Sequence, residues 1–283
     1  MSKKIIFFDV DGTLIEVRGT QEFIPESTIE AVQKTRAKGN LCILCTGRSL
    51  PEIYPFILDV GFDGIIGAGG GFVLFQDEIL YHKRVSEDAI HHVLDFFDRH
   101  HFDYYLESNG GLFASEQLIP RLEYIIYGDL QNDPEARRKK AETPNHFIQE
   151  LKVGTHGKHD DVNKICFLEH PDFKYERIKE EFEEEFKVIP CTVPIFGQES
   201  GELTVPGVFK STAIEILLKH LHIPVEDTYA YGDGHNDTDM LEYCGHGIAV
   251  GNACQLLKDV ADEITDDILN DGIYNSMKKH HLI

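Results

Sequence analysis

The chain has 283 residues, 42% of them hydrophobic and 27% charged, a balance that excludes a disordered, collagenous or coiled-coil protein and is long enough for one large domain or two smaller ones. Forty-nine acids against 27 bases leave a formal charge of −22, which argues against general nucleic-acid or anionic-membrane binding. A small anionic ligand is still allowed, because charges screen over ~8 Å at physiological salt and a local cation outweighs a distant excess.

The first apolar run, Ile5 to Phe8, soon meets Asp9 and Asp11, so no secretory leader is expected. No stretch approaches the ~18 apolar residues of a membrane span. The run reads as a buried parallel strand, apolar throughout rather than alternating. Ser27 to Lys38 reads as a helix, with Ser27 and Glu30 as a capping box and Gly39 as its stop. Leu41 to Cys45 is a second buried strand, Leu50 to Leu58 a helix and Gly64 to Ile66 a third strand. This β-α-β-α-β rhythm predicts a doubly wound sheet.

The rhythm then changes. Phe72–Phe75 and Ile79–Tyr81 form a hairpin around Gln76-Asp77-Glu78. Ser86 to His101 is a helix with Ile90, Val93, Leu94 and Phe97 on one face. Strands follow at 103–107 and 111–114. Residues 128–145, with Pro134, Pro144 and the basic run Arg137 to Lys140, read as a loop or short exposed helix. Asn163 to Leu168 is a strand, and Asp172 to Lys187 an amphipathic helix. The α/β pattern resumes with a helix at 211–222, a strand at 229–231, a helix at 238–244, a strand at 247–250 and a closing helix at 272–279. The expected organisation is a discontinuous core, 1–82 and 196–283, with an α+β insertion at 83–195.

Six cysteines (Cys42, Cys45, Cys166, Cys191, Cys244, Cys254) are scattered without a CxxC pair, as expected of mostly buried free thiols in a cytoplasmic protein. Fifteen histidines form no HExxH, and the pairs His91-His92 and His280-His281 read as surface residues.

In open α/β sheets, ligands bind beyond the carboxyl ends of the strands. After the first strand comes Asp9-Val10-Asp11-Gly12-Thr13. After the second comes Thr46-Gly47-Arg48-Ser49. After the strand at 229–231 comes Gly232-Asp233-Gly234-His235-Asn236-Asp237. Four converging acids call for a cation, and hard oxygen ligands suit Mg²⁺. Each piece alone has a plainer reading: a turn at Asp9 to Gly12, a strand end at Thr46-Gly47, a surface lysine at Lys210, an N-capping loop at Gly232 to Asp237. Their conjunction, each behind an apolar strand and in this order, is the informative feature.

Phe8-Asp9-Val10-Asp11-Gly12-Thr13-Leu14, Cys45-Thr46-Gly47-Arg48, Lys210 in the run 205–211, and Gly232 to Asp237 with the later Gly247 to Ala253 together resemble the four motifs of the haloacid dehalogenase (HAD) superfamily. Within it the chain is similar to the Cof-type, type IIB-capped, sugar-phosphatase-like branch. One departure is Gly67-Ala68-Gly69-Gly70-Gly71, where many such relatives carry an Asn-Gly step. It lacks GxGxxG spacing and a hairpin follows it, so it is not read as a dinucleotide loop.

The resemblance implies a doubly wound, Rossmann-like parallel-sheet core carrying a smaller α+β cap. It implies a Mg²⁺-dependent phosphatase acting on a small phosphorylated metabolite. Asp9 is then the nucleophile and Asp11 the general acid and base. Asp9, Asp11 (by its carbonyl), Asp233 and Asp237 form the metal shell. Lys210, Thr46, Gly47, Asn236 and Arg48 meet the phosphoryl group, with Arg48 alternatively bracing its loop. The cap would close over the core and set specificity. Arg137 to Lys140 and Asn109-Gly110-Gly111 are each ambiguous between solvated loop or turn and substrate contact. A phosphomannomutase-like transferase shares the implied core and cap. A non-catalytic receiver-like sensor also gathers acids and a lysine, but Asp11 and the long insertion favour catalysis.

Overall fold

The computed structural model describes residues 3–18, 21–191 and 193–283. It is mixed α/β with a central, largely parallel sheet, and it divides into two units. The first comprises Met1–Arg48, Ile53–His82 and Val208–Ile283, and the second Ser49–Glu52 and Lys83–Gly207.

The first unit is built on an eight-stranded sheet. Its order is Glu263–Ile264, His246–Ala249, Thr228–Gly232, Ile5–Phe8, Leu41–Cys45, Gly64–Gly67, Phe72–Phe75 and Glu78–His82. The first six strands are mutually parallel and the last two add antiparallel. Ile5–Phe8 lies between Thr228–Gly232 and Leu41–Cys45, in register Phe7↔Ala230 and Phe7↔Ile43. All four of its side chains are buried. A strand covered on both faces has no polar side to keep, which is why its sequence is unbroken apolar. The final hairpin turns through Gln76 and Asp77, both at positive φ (47° and 66°), the two-residue geometry that suits strand twist.

The second unit has a six-stranded sheet in the order Leu151–Val153, Gly111–Ala114, Tyr104–Ser108, Val162–Phe167, Gly201–Thr204, Lys187–Pro190. Alternation along each strand splits its side chains between two cores. Tyr104, Leu106, Ile165, Phe167 and Leu203 pack with Phe97 and Phe182 from the helices Glu87–Arg99 and Tyr175–Phe182. Tyr105, Leu112, Ala114 and Cys166 pack with Leu118, Leu122 and Phe196 on the other face.

Several sequence expectations change. The first helix is Glu26–Ala37 with Pro25 at its N-cap and no side-chain cap bond. Starting one residue earlier puts Ser27 inside the first turn, so the Ser27–Glu30 capping box does not form, and Ser27 Oγ is buried without a partner. Gly39, at φ 88°, does terminate that helix. Residues 50–58 split into a 3-10 turn, Leu50–Glu52, and a short helix, Pro55–Leu58, because Pro55 takes the N1 position and cannot continue a helix from upstream. Of the two readings of 128–145, the short exposed helix is the one found, at Pro134–Glu142, capped by Asp133 onto Glu135 N. Leu118–Tyr127 is a helix that no clear periodicity announced. Residues 196–207, expected in the core, go with the second unit, since Gly201–Thr204 pairs with Val162–Phe167 and Lys187–Pro190. All six cysteines are free, four of them buried. No helix among the described residues is long and apolar enough to cross a membrane.

Phe97 is fully buried and its ring lies 4.9–5.6 Å from those of Phe102, Tyr104, Phe167 and Phe182. Phe97→Ala should cost about 3–5 kcal/mol by leaving a cavity. Urea unfolding followed by the tyrosine signal reads this directly, and a loss under ~1 kcal/mol would mean the aromatic cluster collapses to refill the gap.

Candidate active site

Three strand ends supply the site. Asp9 follows Phe8, Thr46 follows Cys45 and Asp233 follows Gly232. Because these strands are parallel neighbours, their carboxyl ends open on one edge. The main chain is stitched across that edge, with Asp9 N donating to Tyr231 O (2.9 Å) and Val250 N to Gly232 O (3.1 Å).

Lys210 opens the helix Lys210–Leu221 and is almost wholly buried. Its Nζ donates to Asp9 Oδ1 (2.6 Å) and Asp237 Oδ1 (2.5 Å). The surface-lysine reading is therefore wrong. Burial works against its charge, but Asp9 and Asp237 outweigh it, so Lys210 stays protonated well above its ordinary range. Burial raises the Asp9 carboxyl, opposed by Lys210 and reinforced by Asp237 and Asp233. Asp233 is pushed up to about 6, chiefly by burial, with a hydrogen bond from Thr13 opposing and Asp237 adding.

Asp237 accepts more than the lysine proton. Its Oδ2 takes the amides of Asp233 (3.0 Å) and Gly234 (2.9 Å), so this acid folds its own loop while anchoring Lys210. Thr13 Oγ1 donates to Asp233 Oδ1 at 2.8 Å. Gly12, at φ 82°, passes so close to Asp233 that a Cβ would lie 2.3 Å from Oδ2. A side chain there would displace the acid.

Asp9, Asp233 and Asp237 each offer a carboxylate oxygen within 4.8 Å of the others. Three clustered acids, two of them held above their usual range by burial and mutual repulsion, are relieved by a hard cation. The donor set therefore fits Mg²⁺ by charge and ligand type.

Thr46 is buried, and its Oγ1 accepts from Arg48 N at 3.1 Å. Gly47 is half-buried beside it and Asn236 is exposed on the turn His235–Asp237. Arg48 is turned to carboxylates: Nε donates to Asp11 Oδ2 (2.9 Å), and Nη2 to Asp11 Oδ1 (2.5 Å) and Glu22 Oε1 (3.4 Å). Asp11 is thereby held beside, not inside, the acid cluster. Cys45, next in chain to Thr46, is no rival nucleophile, since burial above all keeps its thiol protonated.

The glycine run has a structural use. Ala68 N donates to Arg48 O and Gly69 N to Thr46 O, each at 2.9 Å. Gly70, at φ 104°, lies where a Cβ would stand 2.2 Å from Phe209 O, so it admits the backbone that delivers Lys210. Asn252 lies inside the quoted run Gly247 to Ala253 but was given no role; its Nδ2 donates to Gly12 O at 2.7 Å. Sequence reasoning passed over Asp239, which accepts Ser211 N at 2.7 Å. Both roles depend on contacts distant in sequence.

A family model described as haloacid dehalogenase-like hydrolase matches residues 6–277. The chain is 28% identical over 283 residues to YkrA of Bacillus subtilis (strain 168), covering all of both chains. It is 24% identical over 301 residues to phosphatase YwpJ of the same organism, covering 99% of this chain and 100% of the relative. Among solved structures, the HAD subclass IIB sugar phosphatase BT4131 superposes with a TM-score of 0.71 at 23% identity, over 99% of this chain and 100% of that one. That last likeness is one of fold.

If the acid cluster holds Mg²⁺, saturating ion should raise the melting temperature, since a ligand at 100 times its Kd adds about 2.7 kcal/mol. Asp233→Asn should lose most of that rise. An equal rise in the variant, measured by calorimetry with and without Mg²⁺, would remove Asp233 from the ion's coordination.

Proposed function

The chain belongs to the haloacid dehalogenase-like hydrolases, and from that premise we propose that it is a Mg²⁺-dependent phosphatase. Its substrate is a small phosphorylated metabolite, a sugar phosphate foremost, and hydrolysis runs through an aspartyl-phosphate on Asp9. The observation that carries this reading is the buried Asp9–Lys210–Asp237 chain of charges with Asp233 alongside. The sugar-phosphate class rests on fold-level likeness to the subclass IIB enzyme. We assign the second unit as the cap that reads the leaving group.

Phosphate-monoester hydrolysis is among the slowest uncatalysed reactions, and covalent catalysis divides it into two steps. In the first, an Asp9 carboxylate oxygen attacks phosphorus. The new bond is Asp9 oxygen to phosphorus, and the bond to the leaving oxygen breaks. Asp11 gives that oxygen a proton. In the second, Asp11 takes a proton from water as the water attacks phosphorus. The acyl-phosphate bond breaks, inorganic phosphate leaves and Asp9 is restored. Lys210 holds Asp9 in one rotamer and supplies positive charge where two anions must meet. Thr46, the Gly47 amide and Asn236 offer hydrogen bonds to the phosphoryl oxygens.

Asp9, Asp233 and the Asp11 carbonyl would hold Mg²⁺, with Asp237 engaged by Lys210 and two amides and so acting as a brace. When bound, the ion supplies Lewis-acid charge that offsets the repulsion between Asp9 and the phosphoryl group.

A panel of phosphorylated sugars, nucleotides and cofactors assayed for inorganic phosphate with Mg²⁺ tests the substrate class. Release of phosphate, rather than isomerisation of a hexose phosphate, separates the phosphatase from a mutase. Asp9→Asn should lower kcat by about 10⁴-fold or more and leave no acid-stable phosphoenzyme. Wild-type-like turnover in that variant would end the nucleophile assignment.

A further inference from the structure

We propose that Ser49 is a positioning residue for Asp11 and acts through Arg48. This rests on the reading of Asp11 as general acid and base. The side chain of Asp11 is 58% exposed, and among the described residues its hydrogen-bond partner is the Arg48 guanidinium. So open a carboxylate takes its orientation from the group that grips it. Arg48 is itself fixed through its backbone to Thr46 and Ala68.

The next residue is held quite differently. Ser49 is fully buried and groups with the second unit, although it directly follows the Thr46–Arg48 motif. Its hydroxyl donates to Glu107 Oε2 (3.1 Å) and accepts from Asn163 Nδ2 (2.9 Å), and its amide donates to Glu52 Oε2 (3.2 Å). Glu107 lies on the strand Tyr104–Ser108 and Asn163 on Val162–Phe167. Glu107 is in turn gripped by Lys164 Nζ and Cys166 Sγ, both 3.2 Å from Oε1. Both hydrogen-bonding roles of one serine hydroxyl are thus filled by the inserted sheet, 58 and 114 residues away in sequence.

A single peptide bond passes this anchor to Arg48, about 3.8 Å away between Cα atoms. Removing the hydroxyl leaves a buried carboxylate oxygen and a buried amide each short of a partner, and the segment must shift to satisfy them. Arg48 and the carboxylate it grips shift with it. A displacement of about 1 Å at a catalytic group costs on the order of 100-fold in rate.

The test compares full-length wild-type enzyme with Ser49→Ala and Asn163→Ala, using 4-nitrophenyl phosphate and glucose 6-phosphate as probes. Nitrophenolate leaves with little help from an acid, whereas a sugar alkoxide needs one. Breakdown of the phosphoenzyme needs Asp11 for both. Ser49→Ala should therefore keep a nitrophenolate burst close to the enzyme concentration, then turn over roughly 10- to 100-fold slower than wild type. Glucose 6-phosphate turnover should fall at least as far, with KM within about threefold. Asn163→Ala should show the same split and carries the test if Ser49→Ala does not fold by circular dichroism. A folded variant with wild-type burst and steady state overturns the proposal. So does one in which burst and steady state fall together, because that places the damage at Asp9 and not at Asp11. Absence of any burst or turnover in wild type would instead sink the phosphatase reading itself.

Discussion

The proposed chemistry depends on one buried ammonium shared by two buried carboxylates. Lys210, Asp9 and Asp237 come from three distant stretches of chain and are each at most 4% exposed. Ions placed so deep lose hydration worth several kcal/mol apiece, and their attraction repays this only with good geometry and further hydrogen bonds. The surroundings supply both. Asp237 also takes two backbone amides, Asp239 fixes Ser211 N beside the lysine, and Gly70 admits the approaching backbone. Deleting one partner would strand the others, which makes the trio a structural constraint whatever part it takes in the proposed catalysis.

The second unit carries a polar knot of its own with a different character. Glu107 is buried between Lys164, Cys166 and Ser49, and Lys164 also reaches Glu202 at 3.1 Å. Burial first, then the neighbouring Glu107, raises the Glu52 carboxyl well above the usual range, with Lys164 opposing. A carboxyl kept protonated by an apolar setting can donate a hydrogen bond where an ionised one would repel. This accounts for two glutamates lying together, Glu107 on the strand Tyr104–Ser108 and Glu52 in the 3-10 turn Leu50–Glu52. It also gives the strap Ser49–Glu52 a reason to stay with that sheet although its flanking residues belong elsewhere.

What the sequence made legible was what local chemistry dictates. The buried strands stood out because parallel strands tolerate no polar face, and the acids stood out because each ended such a strand. Lys210 was legible only by motif, since nothing local separates a buried lysine at a helix start from a solvated one. Other features were hidden because they are settled by partners far off in sequence. Ser27 looked like a cap, but Pro25 began the helix a residue sooner. Gly201–Thr204 looked like the return to the core until its pairing with Val162–Phe167 was known. The side chain of Arg48 could have faced phosphate or carboxylate, and only the placement of Asp11 and Glu22 decides for carboxylate.

The two proposed catalytic acids differ most in burial, and their proposed tasks explain why. Asp9 is enclosed and fixed by Lys210, which suits a nucleophile that must present one oxygen along one line to phosphorus. In the proposed mechanism Asp11 serves two oxygens in turn, that of the leaving group and that of the attacking water. A carboxylate buried as deeply as Asp9 would serve one of them well and miss the other. An open carboxylate held by a long arginine side chain leaves room for both. The strand end that carries both acids therefore gives them opposite environments within three residues: Phe8 keeps Asp9 in the sheet, whereas Gly12, at positive φ, turns the chain out of it just past Asp11.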